Sequence, residues 1–216
     1  MYNTNMKHLK NIGGIMLVLC LSIFSITSFF SPGFFSMHDD TQITRVFEMN
    51  KSLSEGIFPV RWVSDLGYGY GYPIFNFYSP FPYYLGGIFN LLGLNVLLAT
   101  KAVFIIGILS SGLFAYLFVK SFLGKNAALV SAIAYIYFPY HAANIYIRGA
   151  LGELYGYALL PLIFWGFYKL HYLSSNNQFL SKSLIFAVTS VSLALVITSH
   201  NLSAFMLLLF LAVFNQ

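Results

Sequence analysis

Apolar positions dominate this chain in long runs, and one extended polar stretch divides them. Ile12–Phe30 is the first run, and about 20 such residues suffice to cross a bilayer. A secretory signal would have a shorter apolar core and a small-residue cleavage site. Here Ser31-Pro32-Gly33-Phe34-Phe35 follows instead, so the run reads as a retained first membrane helix. Later runs cover Ala102–Val119, Ala127–Ala143, Leu154–Leu170, Ser183–Ser199 and Leu202–Phe214. Each but the last is long enough to span. The last reaches only Phe214 before the chain stops at Gln216, which reads as the N-terminal part of a longer protein. Leu85–Leu98 is apolar but interrupted by Gly86, Gly87, Asn90, Gly93 and Asn95, so it either crosses or dips in and returns.

The polar stretch runs from Met37 to Tyr84 and holds five of the six acidic residues: Asp39, Asp40, Glu48, Glu55 and Asp65. It opens with helical periodicity. Ile43, Val46, Phe47 and Leu53 share one face, with Arg45, Glu48 and Lys51 on others. Asp39 or Asp40 is placed to cap this helix, with Gln42 three residues after Asp39, and Gly56 stops it. Such an amphipathic helix is expected along the membrane surface. Phe58-Pro59-Val60-Arg61-Trp62 is extended because proline disfavours a helical residue before it. Then comes Gly67-Tyr68-Gly69-Tyr70-Gly71-Tyr72-Pro73, where glycines free the backbone and tyrosines suit a membrane–water boundary. These aromatics read as an interfacial belt or as a platform for sugar rings or a prenyl chain.

Composition fixes the class. Hydrophobic residues make up 58% of the chain and charged residues 8%, where a soluble domain carries roughly 25% charged. The expectation is an all-α, polytopic bundle of about six membrane helices in a single domain over residues 1–216, with a long first outer loop, 31–101. The net charge of +5 does not point to nucleic acid, because the basic residues are scattered singly and form no patch. They set topology instead. If Leu85–Leu98 does not cross, Lys7, Lys10, Lys120, Lys125, Lys169 and Lys182 are cytoplasmic and all six acids lie outside. If it crosses, four of those lysines move outside. The excess of cytoplasmic Lys and Arg in membrane proteins favours the first arrangement, with the N-terminus inside. Cys20, the single cysteine, allows no disulfide framework and reads as a small core residue.

On that topology three polar clusters share the outer face: His38-Asp39-Asp40, Arg148-Gly149-Ala150-Leu151-Gly152-Glu153, and Ser199-His200-Asn201. Two carboxylates at the mouth of a bundle can serve as a general base, or hold a divalent cation (Mg²⁺ or Mn²⁺) with histidine as a further ligand. Each group also has a plainer reading. Asp39, Asp40 and Glu153 can cap helices, His200 can be an ordinary interfacial residue, and His141, after Pro139, reads as structural. Asn50-Lys51-Ser52 and Asn201-Leu202-Ser203 fit the glycosylation pattern, the second too near the membrane to be used.

His38-Asp39-Asp40, the run from Phe58 through Phe75-Asn76-Phe77-Tyr78, the Arg148–Glu153 segment and Ser199-His200-Asn201 together resemble the bacterial membrane proteins grouped as "6-pyruvoyl-tetrahydropterin synthase-related". Those in turn resemble the GT-C glycosyltransferase superfamily. The resemblance extends from about residue 12 to the end. It implies a multi-pass enzyme of the bacterial cytoplasmic membrane that takes a sugar from a polyprenyl-phosphate carrier to an acceptor at the outer face. It makes Asp39 the catalytic base or metal ligand, Asp40 its neighbour and Glu153 the second acid. Arg61, Arg148 and Lys101 become candidates for the carrier phosphate, and His38, Tyr70, Tyr72, His200 and Asn201 candidate substrate contacts. Two other readings stay open. One is a non-catalytic component of envelope polysaccharide assembly. The other is a transporter or flippase, for which Thr189, Ser190, Ser192 and Thr198 are the only candidates for a polar path.

Overall fold

The computed structural model describes residues 2–172 and 179–214. The chain end at Gln216 and the side chains of Lys7 and Lys10 lie outside that description. Among the described residues the fold is helical, and its only strand-like pairing is an isolated antiparallel bridge between Val63 and Tyr72.

The first helix, α1 (Tyr2–Ile26), continues into a 3₁₀ turn, Thr27–Phe30. A polar-loop helix, α2 (Gln42–Ser54), a single turn, α3 (Ile74–Phe77), and α4 (Phe81–Leu91) follow. Next are the long α5 (Val96–Leu123), α6 (Lys125–Tyr137) and the short α7 (Pro139–Ala143), which runs into a π-helical turn at Asn144–Arg148. Three helices close the fold: α8 (Leu151–Tyr172), α9 (Phe179–Ile197) and α10 (Asn201–Phe214).

Where the sequence pattern predicts about six spans, three helical stretches are long and apolar enough to cross a bilayer: Gly13–Phe30, Val96–Leu123 and Leu180–Ile197. The shortfall has local causes. The run Ala127–Ala143 is broken, because Phe138 leaves the helix ahead of Pro139 and α6 ends after 13 residues, about 20 Å at 1.5 Å per residue. In α8, 22 residues long, tyrosines, glycines and Trp165 dilute the aliphatic content, and Pro161 sits inside it. α10 is apolar but short.

Leu85–Leu98 is not one segment. α4 has 11 residues, about 16 Å of helix, too short to cross a core about 30 Å thick. Gly93, at φ +103°, turns the chain. Asn95 then caps α5 by accepting from the Leu98 N–H at 2.8 Å. The glycines that interrupt the apolar run form a packing surface: a methyl group on Gly86 would lie 2.7 Å from Val46 Cγ2, and one on Gly87 3.0 Å from Met49 Cγ. α2 therefore lies close on α4, and the two sit over the start of α5.

α2 is turned differently from its apolar pattern. Its buried residues are Gln42, Arg45, Val46, Glu48, Met49 and Ser52, while Phe47 is exposed. Neither Asp39 nor Asp40 caps it. Thr41 occupies the N-cap position without a side-chain hydrogen bond, and Asp39 is engaged by side chains instead. Gly56, at φ +79°, ends it as expected, donating its N–H to Leu53 O. One core cluster joins α1, α2, α4, α5, α6 and the start of α8 through Val18, Val46, Tyr83, Phe104, Ala128 and Leu151. A second, including Ile163, Val196 and Leu207, holds α8, α9 and α10 together.

Candidate functional site

Three distant segments meet at the end of the bundle where α1 finishes and α5 begins. The backbone makes the joints. His38 and Asp39 donate their N–H groups to Ile147 O and Arg148 O at 2.8 and 3.0 Å. Phe81 N–H donates to Thr198 O at 2.9 Å, and Ser79 Oγ donates to Asn201 Oδ1 at 2.8 Å. Two glycines permit the approach. Gly149 adopts φ +65°, and a methyl group there would overlap Met37 Sδ at 2.0 Å. A methyl group on Gly152 would stand 2.4 Å from the backbone oxygen of Ser199.

The result is a cavity of about 420 Å³ whose wall includes His38, Asp39, Tyr78, Arg148, Glu153 and His200. Gln42, Ser79, Tyr83 and Asn201 also contribute to it. That volume lies within the roughly 300–1,000 Å³ typical of small-molecule sites.

Asp39 is the most connected carboxylate. Its Oδ2 accepts from Arg45 Nη1 at 2.7 Å and from Gln42 Nε2 at 2.8 Å, and its Oδ1 accepts from Thr41 Oγ1 at 2.8 Å. Gln42 Nε2 also donates to Gly149 O at 2.8 Å, which ties α2 to the α7–α8 junction. Tyr83 completes the cluster, accepting from Arg45 Nη1 at 3.2 Å and donating to Gln42 Oε1 at 2.9 Å. The Arg45 guanidinium lies 4.0 Å from the centroid of the Tyr78 ring. Burial works against its charge, but Tyr83 and Asp39 outweigh this and its pKa is raised. Burial pushes the Tyr83 phenol up to about 12, so it stays a neutral donor.

Arg45 is nearly buried, its side chain 7% exposed against 25% for Asp39. Its replacement by methionine is expected to lower stability by about 2–3 kcal/mol. Removing one partner of a buried ion pair costs about 3–5 kcal/mol, and the partial exposure of Asp39 reduces that. Thermal unfolding in detergent measures it.

A second ion pair faces the same cavity. Arg148 Nη1 meets Glu153 Oε2 at 2.7 Å and Asn144 Oδ1 at 2.9 Å. Tyr140 OH donates to Glu153 Oε1 and accepts from Arg148 Nη1. Half of the Arg148 side chain is exposed while Glu153 is mostly buried. The carboxylate is thus occupied in holding the guanidinium, through contacts that all fall on Nη1 among those observed, and Arg148 lines the cavity.

Not every residue singled out in the sequence reaches this place. Asp40 and Arg61 are exposed outside it. Tyr70 stands 88% exposed on the glycine-rich loop. Tyr72 lines a separate, mainly apolar dent of about 270 Å³ with Arg45, Leu66 and Ile74. Lys101 is buried and donates to Ser31 O at 2.7 Å, so it anchors the end of the 3₁₀ turn. His141 is buried, stacked on Tyr157 with its Nδ1 on Ile136 O, a structural place. The sequence pattern does not single out Arg45, Gln42 and Tyr83 as site residues. The polar spacing 39–42–45 is a signal for the first two, since it places them along one edge of α2.

The donors around Asp39 do not suit a cation. Arg45 and Gln42 already occupy Oδ2, and a divalent ion would have to displace a guanidinium 2.7 Å away. Among the described residues no group of three or more His, Cys, Asp or Glu side chains is placed to hold a metal. The arrangement can do two other things: accept a proton at Asp39 Oδ1, whose partner among the described residues is the neutral Thr41 hydroxyl, and bind an anion at Arg148.

The model of a family described as "6-pyruvoyl-tetrahydropterin synthase related domain; membrane protein" matches residues 75–216. The chain belongs to this family. The matched region includes the cavity residues Ser79, Tyr83, Arg148, Glu153 and His200, while Asp39, Gln42 and Arg45 precede it. It is a membrane-protein family, in agreement with the apolar helices. Neither the curated proteins nor the solved structures yield a match.

Proposed function

We propose that the protein is a glycosyltransferase of the cytoplasmic membrane that moves a sugar from a polyprenyl-phosphate carrier to an acceptor hydroxyl at the outer face, with the N-terminus inside. One observation carries this reading: a carboxylate, Asp39, and a partly exposed guanidinium, Arg148, line one cavity from segments more than a hundred residues apart. The placing of the acids, one in the first loop and a second in a later one, resembles that of GT-C enzymes and supports it as analogy.

In this reading the acceptor hydroxyl attacks the anomeric carbon of the carrier-bound sugar. Its proton passes to Asp39 Oδ1 while the bond from that carbon to the phosphate oxygen breaks. The phosphate leaves on its prenyl chain, and Arg148 stabilises the charge that develops. Glu153 and Tyr140 orient Arg148. Arg45 and Gln42 occupy Oδ2, which leaves Oδ1, beside the Thr41 hydroxyl, to take the proton.

A transport path finds less support. The hydroxyls of Thr189 and Ser192 in α9, and of Thr198 just after it, donate to the α9 carbonyls of Ile185, Val188 and Ala194. The test is release of a radiolabelled sugar from synthetic prenyl-phosphate donors to membrane acceptors by the full-length protein in vesicles. Transfer above empty vesicles is expected. Absence of transfer across a donor panel, with flux of the same lipid between leaflets, would replace this reading with the flippase.

A further inference from the structure

His200 is the residue whose geometry reaches furthest. It stands at the N-cap of α10: its carbonyl accepts the first helical bond, from Ala204 N–H at 3.0 Å. Its side chain completes the cap, with Nδ1 3.3 Å from the Ser203 N–H and 2.7 Å from Ser203 Oγ. Ser, Thr, Asp and Asn are the usual residues here, so an imidazole in their place calls for a reason.

A backbone N–H only donates. With the Ser203 N–H bonded to it, Nδ1 accepts, Ser203 Oγ donates to it as well, and a neutral ring in this tautomer carries its proton on Nε2. Gly156 of α8 lies beside this cap: a methyl group there would stand 3.3 Å from Ser203 Cβ and Oγ and in ordinary contact, 3.5 Å, with His200 Cβ. Burial lowers the His200 pKa, with Glu153 acting against the shift and Arg148 with it, so the ring is neutral at physiological pH. His200 lines the same cavity as Arg148.

We propose that His200 is a fixed neutral donor, its Nε2–H offered to an anionic phosphate oxygen that Arg148 binds in the cavity. It is a substrate-positioning residue and not a proton acceptor. The capping bond fixes the tautomer, and the tautomer fixes the ligand chemistry: an oxygen with lone pairs and negative charge. The assignment rests on the reading of the cavity as a phosphate-carrying site. The phosphate can belong to a lipid carrier or be free in solution, and the two are separated below.

The experiment compares wild type with His200→Asn and His200→Ala in detergent. Asparagine keeps a side-chain oxygen suited to the N-cap but has no donor in the place of Nε2. Imidazole ¹⁵N shifts are expected to show His200 protonated on Nε2, and a proton on Nδ1 would overturn the proposal. Titrations with farnesyl phosphate and with inorganic phosphate give the second arm. His200→Asn is expected to lose about tenfold in affinity with its unfolding temperature unchanged, as a lost hydrogen bond to a charged group implies. His200→Ala is expected to lose affinity and stability together. A loss confined to farnesyl phosphate identifies the lipid-linked source, and a loss for both identifies the phosphate itself. Equal affinity in wild type and His200→Asn, or no binding of either phosphate by wild type, would overturn the assignment. Sugar transfer by wild type judges the transferase reading separately.

Discussion

Replacing Asp39 with asparagine is expected to lower sugar transfer by about 10²–10⁴-fold, the contribution of a positioned general base. The protein should still insert and still bind the carrier phosphate, because Arg148 is held by Glu153, Asn144 and Tyr140 rather than by Asp39. The substitution also has a structural cost. Three donors converge on this carboxylate, from Thr41, Gln42 and Arg45, and an amide can accept at one end only. Stability should fall by about 1–3 kcal/mol, the penalty of leaving a polar group without its partner. The two effects separate in kinetics. Loss of a group that acts in the transition state lowers kcat with little change in KM, whereas a collapsed pocket raises KM. Unchanged kcat in Asp39→Asn would remove Asp39 from the chemistry.

The second large effect is expected at Gly152. A methyl group there has nowhere to go, since the atom 2.4 Å away is a backbone oxygen, that of Ser199, and not the end of a flexible side chain. Gly152→Ala must push the start of α8 away from the α9–α10 turn. The expected cost is about 2–3 kcal/mol, as for other overpacked interiors, or a Tm lower by roughly 5–10 °C. Function should suffer further, because Glu153 follows directly and His200 and Asn201 lie across the same joint. Gly13→Ala is the control: nothing lies within 4 Å of the added methyl, and it sits inside α1. Alanine favours a helix interior over glycine by about 1 kcal/mol, so that variant should be no less stable than wild type. A Gly152→Ala protein as stable as Gly13→Ala would contradict the close joint.

Much of this architecture is legible in the sequence. Long apolar runs announce membrane helices whatever their packing. The meeting of His38 and Asp39 with the 148–153 and 199–201 segments follows from asking which loops can share one end of a bundle. The packing is less legible. Periodicity in α2 shows an apolar side at Ile43, Val46 and Phe47 but not which side the protein covers. Beside apolar surroundings the covered side can be the polar one, and here it carries Gln42, Arg45 and Glu48. The Arg45–Tyr83 contact joins residues 38 positions apart on different helices, beyond any local pattern. Pro139 signals a break, but nothing local shows that a π-helical turn follows and aims Arg148 at Glu153. Gly149 and Gly152 read as turn glycines. That each clears room for another segment appears only once Met37 and Ser199 are seen beside them.

The central claim is that the first polar loop and the α9–α10 turn form one site on the outside of the membrane. Side-selective cysteine labelling in intact cells tests it most directly. In a Cys20→Ser background, one cysteine is placed by Ser64→Cys in the polar loop or by Asn201→Cys at the turn, both exposed positions. An impermeant maleimide is expected to label both variants. Labelling of one variant by the impermeant reagent, with both labelled by a permeant reagent, would place the two segments on opposite faces and contradict the shared site.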